Sequence, residues 1–101
     1  MAQAYTYCRT RWNHGLTSYP TEIWSELDGF RFEVRRLEVF SNGTILWGSA
    51  REGSAGGAEM YITPLPELDE MADDPDNVEA SVITAEEFEA LWARRPPARP
   101  T

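Results

Sequence analysis

The sequence predicts an α+β fold: an antiparallel sheet of four to five strands with a meander core, a short helix, and a C-terminal helix packed on one face. Three observations predict it. Apolar and polar residues alternate through several short stretches, the period of a strand with unequal faces. Asp28-Gly29 and Asn42-Gly43 interrupt that alternation with the residue pairs that tolerate positive φ in hairpin turns. The segment Thr84 to Trp92 changes to helical spacing and opens with a capping box.

Ala4 to Trp12 alternates ring or small apolar residues with polar ones and reads as the first strand. Asn13 to Pro20 gathers Asn, His, Gly, Thr, Ser and Pro, each a turn former for its own reason, so the chain loops there. Thr21 to Leu27, Phe30 to Phe40 and Thr44 to Ala50 then form a three-stranded meander joined by two-residue links at Asp28-Gly29 and Asn42-Gly43. In the middle strand Phe30, Phe32 and Val34 share one parity while Leu37 and Val39 share the other. Either a bulge near Arg35 and Arg36 repairs the phase, or the strand is covered on both faces.

Arg51 to Gly57 reads as a flexible connection and Ala58 to Thr63 as a further strand, ended by Pro64 and Pro66. Pro66 to Ala72 suits a short helix, because proline costs little in a first turn. Ser81 to Ile83 is a brief extended piece. In the final helix Thr84 is the N-cap, Glu87 closes the box, and Phe88, Leu91 and Trp92 make the stripe that docks on a sheet. Residues 1–95 form a single domain, and 96–101 a disordered proline and arginine tail.

Net charge −8 is unevenly placed. Up to Ala58 six acids face six arginines, whereas Glu59 to Ala90 holds eleven acids and no base. Phosphate repulsion ranks direct nucleic-acid binding low. The single cysteine, Cys8, closes no internal disulfide, and no Cys/His spacing suits a metal, so neither metal nor cofactor is expected. No apolar run has signal-peptide or membrane-spanning length, which points to a cytoplasmic protein. Nucleotide-binding glycine loops, zinc-protease and nucleophile-elbow motifs are absent.

Arg11-Trp12-x-His14, Trp24-Ser-Glu26-Leu-Asp28, Arg31-x-Glu33-Val-Arg35-Arg36-Leu-Glu38-Val-Phe and Thr84-x-Glu-Glu87-Phe-Glu-x-Leu-Trp92 together resemble a family of small, functionally uncharacterised bacterial domains. The resemblance spans most of Tyr5 to Trp92, with Arg51 to Gly57 as local variation. It implies one domain and supplies no catalytic residue.

The leading expectation is therefore a non-enzymatic acidic protein-binding module, of the kind an immunity or antitoxin-like inhibitor uses against a basic partner. Its binding residues are Trp24 as an aromatic anchor and Glu67, Asp69, Glu70, Asp73, Asp74 and Asp76 as the charged surface. An alternative is a small enzyme or ligand-binding domain in which His14, the only histidine, works with Glu26 beside an Arg31, Arg35 and Arg36 row. A third reading is a homodimer formed through a strand edge or the Trp24 face.

Overall fold

The computed structural model describes residues 4–71 and 77–98. Strands β1 (Thr6–Trp12), β2 (Glu22–Leu27), β3 (Glu33–Val39), β4 (Ile45–Ser49), β5 (Gly53–Gly56) and β6 (Val78–Ile83) form one antiparallel sheet ordered β5-β4-β3-β2-β1-β6. Helix α1 (Leu68–Met71) precedes β6 and α2 (Ala85–Trp92) follows it. Six strands stand where four to five were expected. The extended piece at Ser81 reaches back to Val78 and pairs with β1 from Tyr7, opposite Ile83, to Trp12, opposite Val78.

The sixth strand comes from the glycine-rich segment, expected as a connection, which forms the edge strand β5. Ala58 to Thr63, expected as a strand, is instead a loop that starts from a single parallel bridge between Trp47 and Gly57. Close approach explains Gly56 in this strand and Gly48 in β4 beside it. A Cβ on Gly56 would lie 2.2 Å from the Trp47 indole, and one on Gly48 would lie 2.7 Å from the Ala58 carbonyl oxygen, so a side chain at either position would push the segment off the sheet.

Both hairpins fall where the sequence places them, with three-residue loops instead of two-residue links. In the first, Asp28 N–H donates to the Phe32 carbonyl at 3.0 Å and Arg31 N–H donates to the Asp28 carbonyl at 3.0 Å. In the second, Phe40 N–H reaches the Thr44 carbonyl and Gly43 N–H the Phe40 carbonyl, both at 2.9 Å. A three-residue loop ends in the left-handed region. Gly43 takes that place at φ 87°, but in the first hairpin the place falls to Arg31, at φ 68°.

The phase problem in β3 is solved in both ways at once. Glu26 pairs with Arg35 and Leu27 with Glu33, so Val34 is the extra residue of a bulge, and β3 is also covered on its two faces. On one face α2 sets Phe88, wholly buried, against Leu37, Trp47 and Ile83, with Tyr7, Trp24, Leu91 and Trp92 around them. The capping box holds as predicted: Glu87 N–H donates to Thr84 Oγ1 at 3.0 Å, and the Glu87 side chain accepts from the Thr84 backbone. On the other face Cys8, Leu27 and Leu65 form a smaller cluster with Leu68 and Met71 of α1. The two helices thus lie on opposite faces, since consecutive strand residues Tyr7 and Cys8 point to opposite sides.

After α2 the Pro96 carbonyl accepts from Trp47 Nε1 at 2.7 Å, so the backbone there is tied to β4. A buried indole N–H needs an acceptor, and this carbonyl supplies it. Residues 99–101 of the expected tail lie outside the described residues.

Candidate functional site

Arg35 and Arg36 are adjacent and point to opposite faces of β3, and each organises a carboxylate system. Under α2, Arg35 clasps Glu26 in two hydrogen bonds, Nε to Oε1 at 2.6 Å and Nη2 to Oε2 at 2.8 Å, and also pairs with Glu89. Tyr7 donates its hydroxyl to Glu26 Oε2 at 2.7 Å. Burial alone pushes the Glu26 carboxyl up. The hydrogen bonds from Arg35 and Tyr7 and the Arg35 charge outweigh that and hold it below the ordinary carboxylate range. The guanidinium lies 4.9 Å from the centroids of both Phe88 and Trp92, so this system is roofed by rings.

On the opposite face Glu33 is buried, and its carboxylate accepts from Ser25 Oγ at 2.7 Å, from Tyr61 N–H at 2.9 Å and from Arg36 Nη1 at 3.2 Å. Arg36 Nε donates to Glu38 at 2.9 Å, and its guanidinium sits 5.2 Å from the Tyr61 ring centroid. Glu33 and Arg36 are three apart, which on a regular strand would place them on opposite faces. The extra residue at Val34 turns Glu33 to the Arg36 side and makes this cluster.

Over that cluster opens a concavity of about 620 Å³. Trp12, Tyr19, Phe40 and Tyr61 supply its aromatic walls, and Arg36, Glu38 and Glu59 its charge. Tyr19 and Tyr61 are each more than half exposed. Trp12 meets the His14 ring edge-on at 4.5 Å between centroids and Tyr19 at 6.1 Å, which fixes one wall. Arg36 is already held by Glu33 and Glu38, while Glu59 has no ion pair among the described residues, so the groove is net acidic. A second cavity of about 220 Å³ shares Ile23, Arg36 and Tyr61 with it and runs on to Met71 of α1. Large exposed rings beside fixed polar groups are the composition of a binding hot spot.

The residues singled out from sequence are dispersed. His14 Nε2 donates to the Pro20 carbonyl at 2.8 Å and Nδ1 accepts from Leu16 N–H at 2.8 Å, so both ring nitrogens serve the loop. Glu26 pairs with Tyr7 at the far end of β1, on the order of 20 Å away at strand rise, so His14 and Glu26 make no acid-base pair. The arginine row is also divided. Arg35 and Arg36 take opposite faces, and Arg31 donates to the Leu65 and Pro66 carbonyls and pairs with Glu67, pinning the long loop.

Trp24 lies half-buried on the α2 face, its Nε1 donating to Glu22 at 2.9 Å. Glu67, Asp69 and Glu70 are exposed at α1, on the groove face, so Trp24 shares no surface with them. Asp73, Asp74 and Asp76 lie outside the described residues. Glu86, Glu87 and Glu89 ride on α2, so the described acids of the second half are divided between the faces. Sequence reasoning missed Tyr19, Phe40, Met60 and Tyr61 as one wall. Among the described residues no three or more His, Cys, Asp or Glu side chains are grouped to hold a metal ion, and no helix is long and apolar enough to cross a membrane.

The model of a domain family of unknown function (DUF6881) matches residues 6–96. No curated protein and no solved structure matches the chain.

Proposed function

The chain belongs to the DUF6881 family, and we propose that it is a protein-binding module without catalytic chemistry, docking a basic segment of a partner protein in the aromatic groove. The observation that carries this reading is the pairing of four aromatic walls with an uncompensated carboxylate, Glu59, over a floor where Arg36 is already neutralised. An arginine or lysine side chain gains a ring face and a carboxylate together in such a groove. Glu67, Asp69 and Glu70 extend the negative surface along the same face and steer a cationic partner toward it. An immunity or antitoxin-like inhibitor of a basic protein is the role that fits this surface.

Catalysis is disfavoured by how its usual agents are engaged. His14 uses both nitrogens on backbone groups, and Cys8 is buried, its thiol pushed up to about 11 by that burial.

Titration with a nona-arginine peptide, followed by tryptophan fluorescence, tests the reading. Binding should weaken as salt rises, and the Tyr19→Ala/Tyr61→Ala double variant should lose about tenfold or more in affinity. Charge reversal Glu59→Lys should lower affinity further. No binding at low salt, or binding indifferent to the tyrosine pair, would sink the idea.

Self-association is a second reading, favoured by one observation: β6 is an edge strand on which Val82 is 66% exposed. Sedimentation velocity separates the two readings, because a Val82→Lys substitution abolishes a β6-edge dimer and leaves peptide binding intact.

A further inference from the structure

A different cavity, of about 350 Å³, lies on the α2 side between β3, the β4–β5 turn and the backbone following α2. Its charged lining is Arg35, Arg51, Arg95, Glu26 and Glu52, three guanidinium groups against two carboxylates. Arg35 and Glu26 are spent on each other. Arg51 and Arg95 have no salt bridge among the described residues, although the protein carries seventeen acids against nine arginines. Two guanidinium groups without a carboxylate partner therefore line one cavity.

Arg95 is also held in place. Its guanidinium lies 4.1 Å from the Trp92 ring centroid and 4.9 Å from that of Trp47, and Nη1 donates to the Trp92 carbonyl at 3.0 Å. The bond from Trp47 Nε1 to the Pro96 carbonyl fixes the next residue. A guanidinium oriented in advance loses little side-chain freedom when an anion arrives, so binding keeps more of its gross energy.

We propose that this cavity binds a small organic carboxylate, with Arg51 and Arg95 as its two cationic partners and Trp92 and Val34 against its apolar body. The volume is at the lower end of small-ligand sites. A monoanion suits it better than a phosphate dianion, because the Glu52 carboxylate shares the lining and Glu26 with Glu89 carry one more charge than Arg35. The carboxylate can belong to a free acid or to the C-terminus of a peptide, since the fork geometry recognises both alike.

Nitrogen-proton NMR spectra of the full chain, read at the Trp92 and Trp47 indole signals, test the site with sodium benzoate, benzamide, and a short peptide with either a free or an amidated C-terminus. Benzoate should shift these signals saturably and neutral benzamide should not. A response to the free-acid peptide and none to the amidated one identifies a peptide terminus as a source. A response to benzoate with neither peptide active identifies free acids. Arg51→Gln should weaken binding about tenfold, the loss of one charge-assisted contact, whereas Arg94→Gln removes the same charge outside the cavity and should leave it unchanged. No saturation into the millimolar range, an equal response to benzamide, or equal losses in the two variants would overturn the proposal. The groove reading is unaffected by any of these results, because its probe is cationic and its residues lie on the other face.

Discussion

Arg35 and Arg36 are neighbours in sequence with nearly the same chemistry, and they teach different things because the sheet places them on opposite faces. Each neutralises a buried or half-buried glutamate and also pairs with a second one. Around Arg35 the second layer is α2, whose Phe88 and Trp92 lie against the guanidinium. Around Arg36 it is a loop without periodic structure, and Tyr61 leaves a groove open beside it. The closed system holds the domain together. The open one presents a surface.

The sharpest way to break that comparison is to remove each guanidinium in turn. Arg35→Met strands Glu26 with only the Tyr7 hydroxyl and strips a planar group from two rings, so it should cost about 3–5 kcal/mol. Arg36→Met leaves Glu33 its bonds from Ser25 and Tyr61 and lets Glu38 turn to water, so about 1–3 kcal/mol is expected. Urea denaturation of the two variants measures both. Equal losses would mean that the loop face is as essential to the fold as the helix face.

The same contrast has a pH signature. Because the Glu26 carboxyl is lowered from 4.5 in the folded chain, the unfolded chain takes up the proton first as pH falls. The stability it contributes is complete above about 4.5 and disappears as pH drops through the folded value. Glu26→Gln should therefore be less stable at neutral pH and lose less on acidification, read as the urea midpoint against pH. On the alkaline side the sign reverses. Cys8 is raised from 9.0 to about 11 by burial, and Tyr7 from 10.0 to about 12 by burial and by its bond to the Glu26 carboxylate. Their contribution is complete below the unfolded values and fades as pH climbs through the folded ones. A thiol reagent should accordingly modify Cys8 at the rate of global opening at neutral pH. Prompt modification of the native protein would show the α1 cluster to be loosely closed.

The helix face was largely legible in sequence and the groove was not. Phe88, Leu91 and Trp92 carry a period, and Thr84 with Glu87 carries a cap, so α2 and its buried stripe follow from local rules. The groove depends on things without a local signal. The bulge at Val34 decides that Glu33 joins Arg36, and parity alone allowed it anywhere near Arg35 or not at all. Tyr61 and Met60 come from a loop whose course is set by Arg31 reaching across to Leu65 and Pro66, residues more than thirty positions away. The glycine-rich segment reads as slack because composition does not reveal that Gly56 must let the Trp47 ring pass.

The smallest expected effect compares the two hairpins, which share one loop architecture and differ at the residue that takes positive φ. Gly43→Ala puts a Cβ into the left-handed region with no contact to compensate, so it should cost about 1 kcal/mol. Arg31→Gly relieves the same strain at φ 68°, a gain of similar size. It also deletes two bonds to carbonyl oxygens and the pair with Glu67, so the stability change should be close to zero. What changes instead is the loop. Hydrogen exchange at Leu65, whose N–H donates to the Arg31 carbonyl, should speed up in Arg31→Gly while exchange in β3 and β4 stays as it was. If Arg31→Gly instead raises stability by the full glycine gain with Leu65 equally protected, then Arg31 does not fix the loop, and the wall that Tyr61 gives the groove is positioned by Glu33 alone.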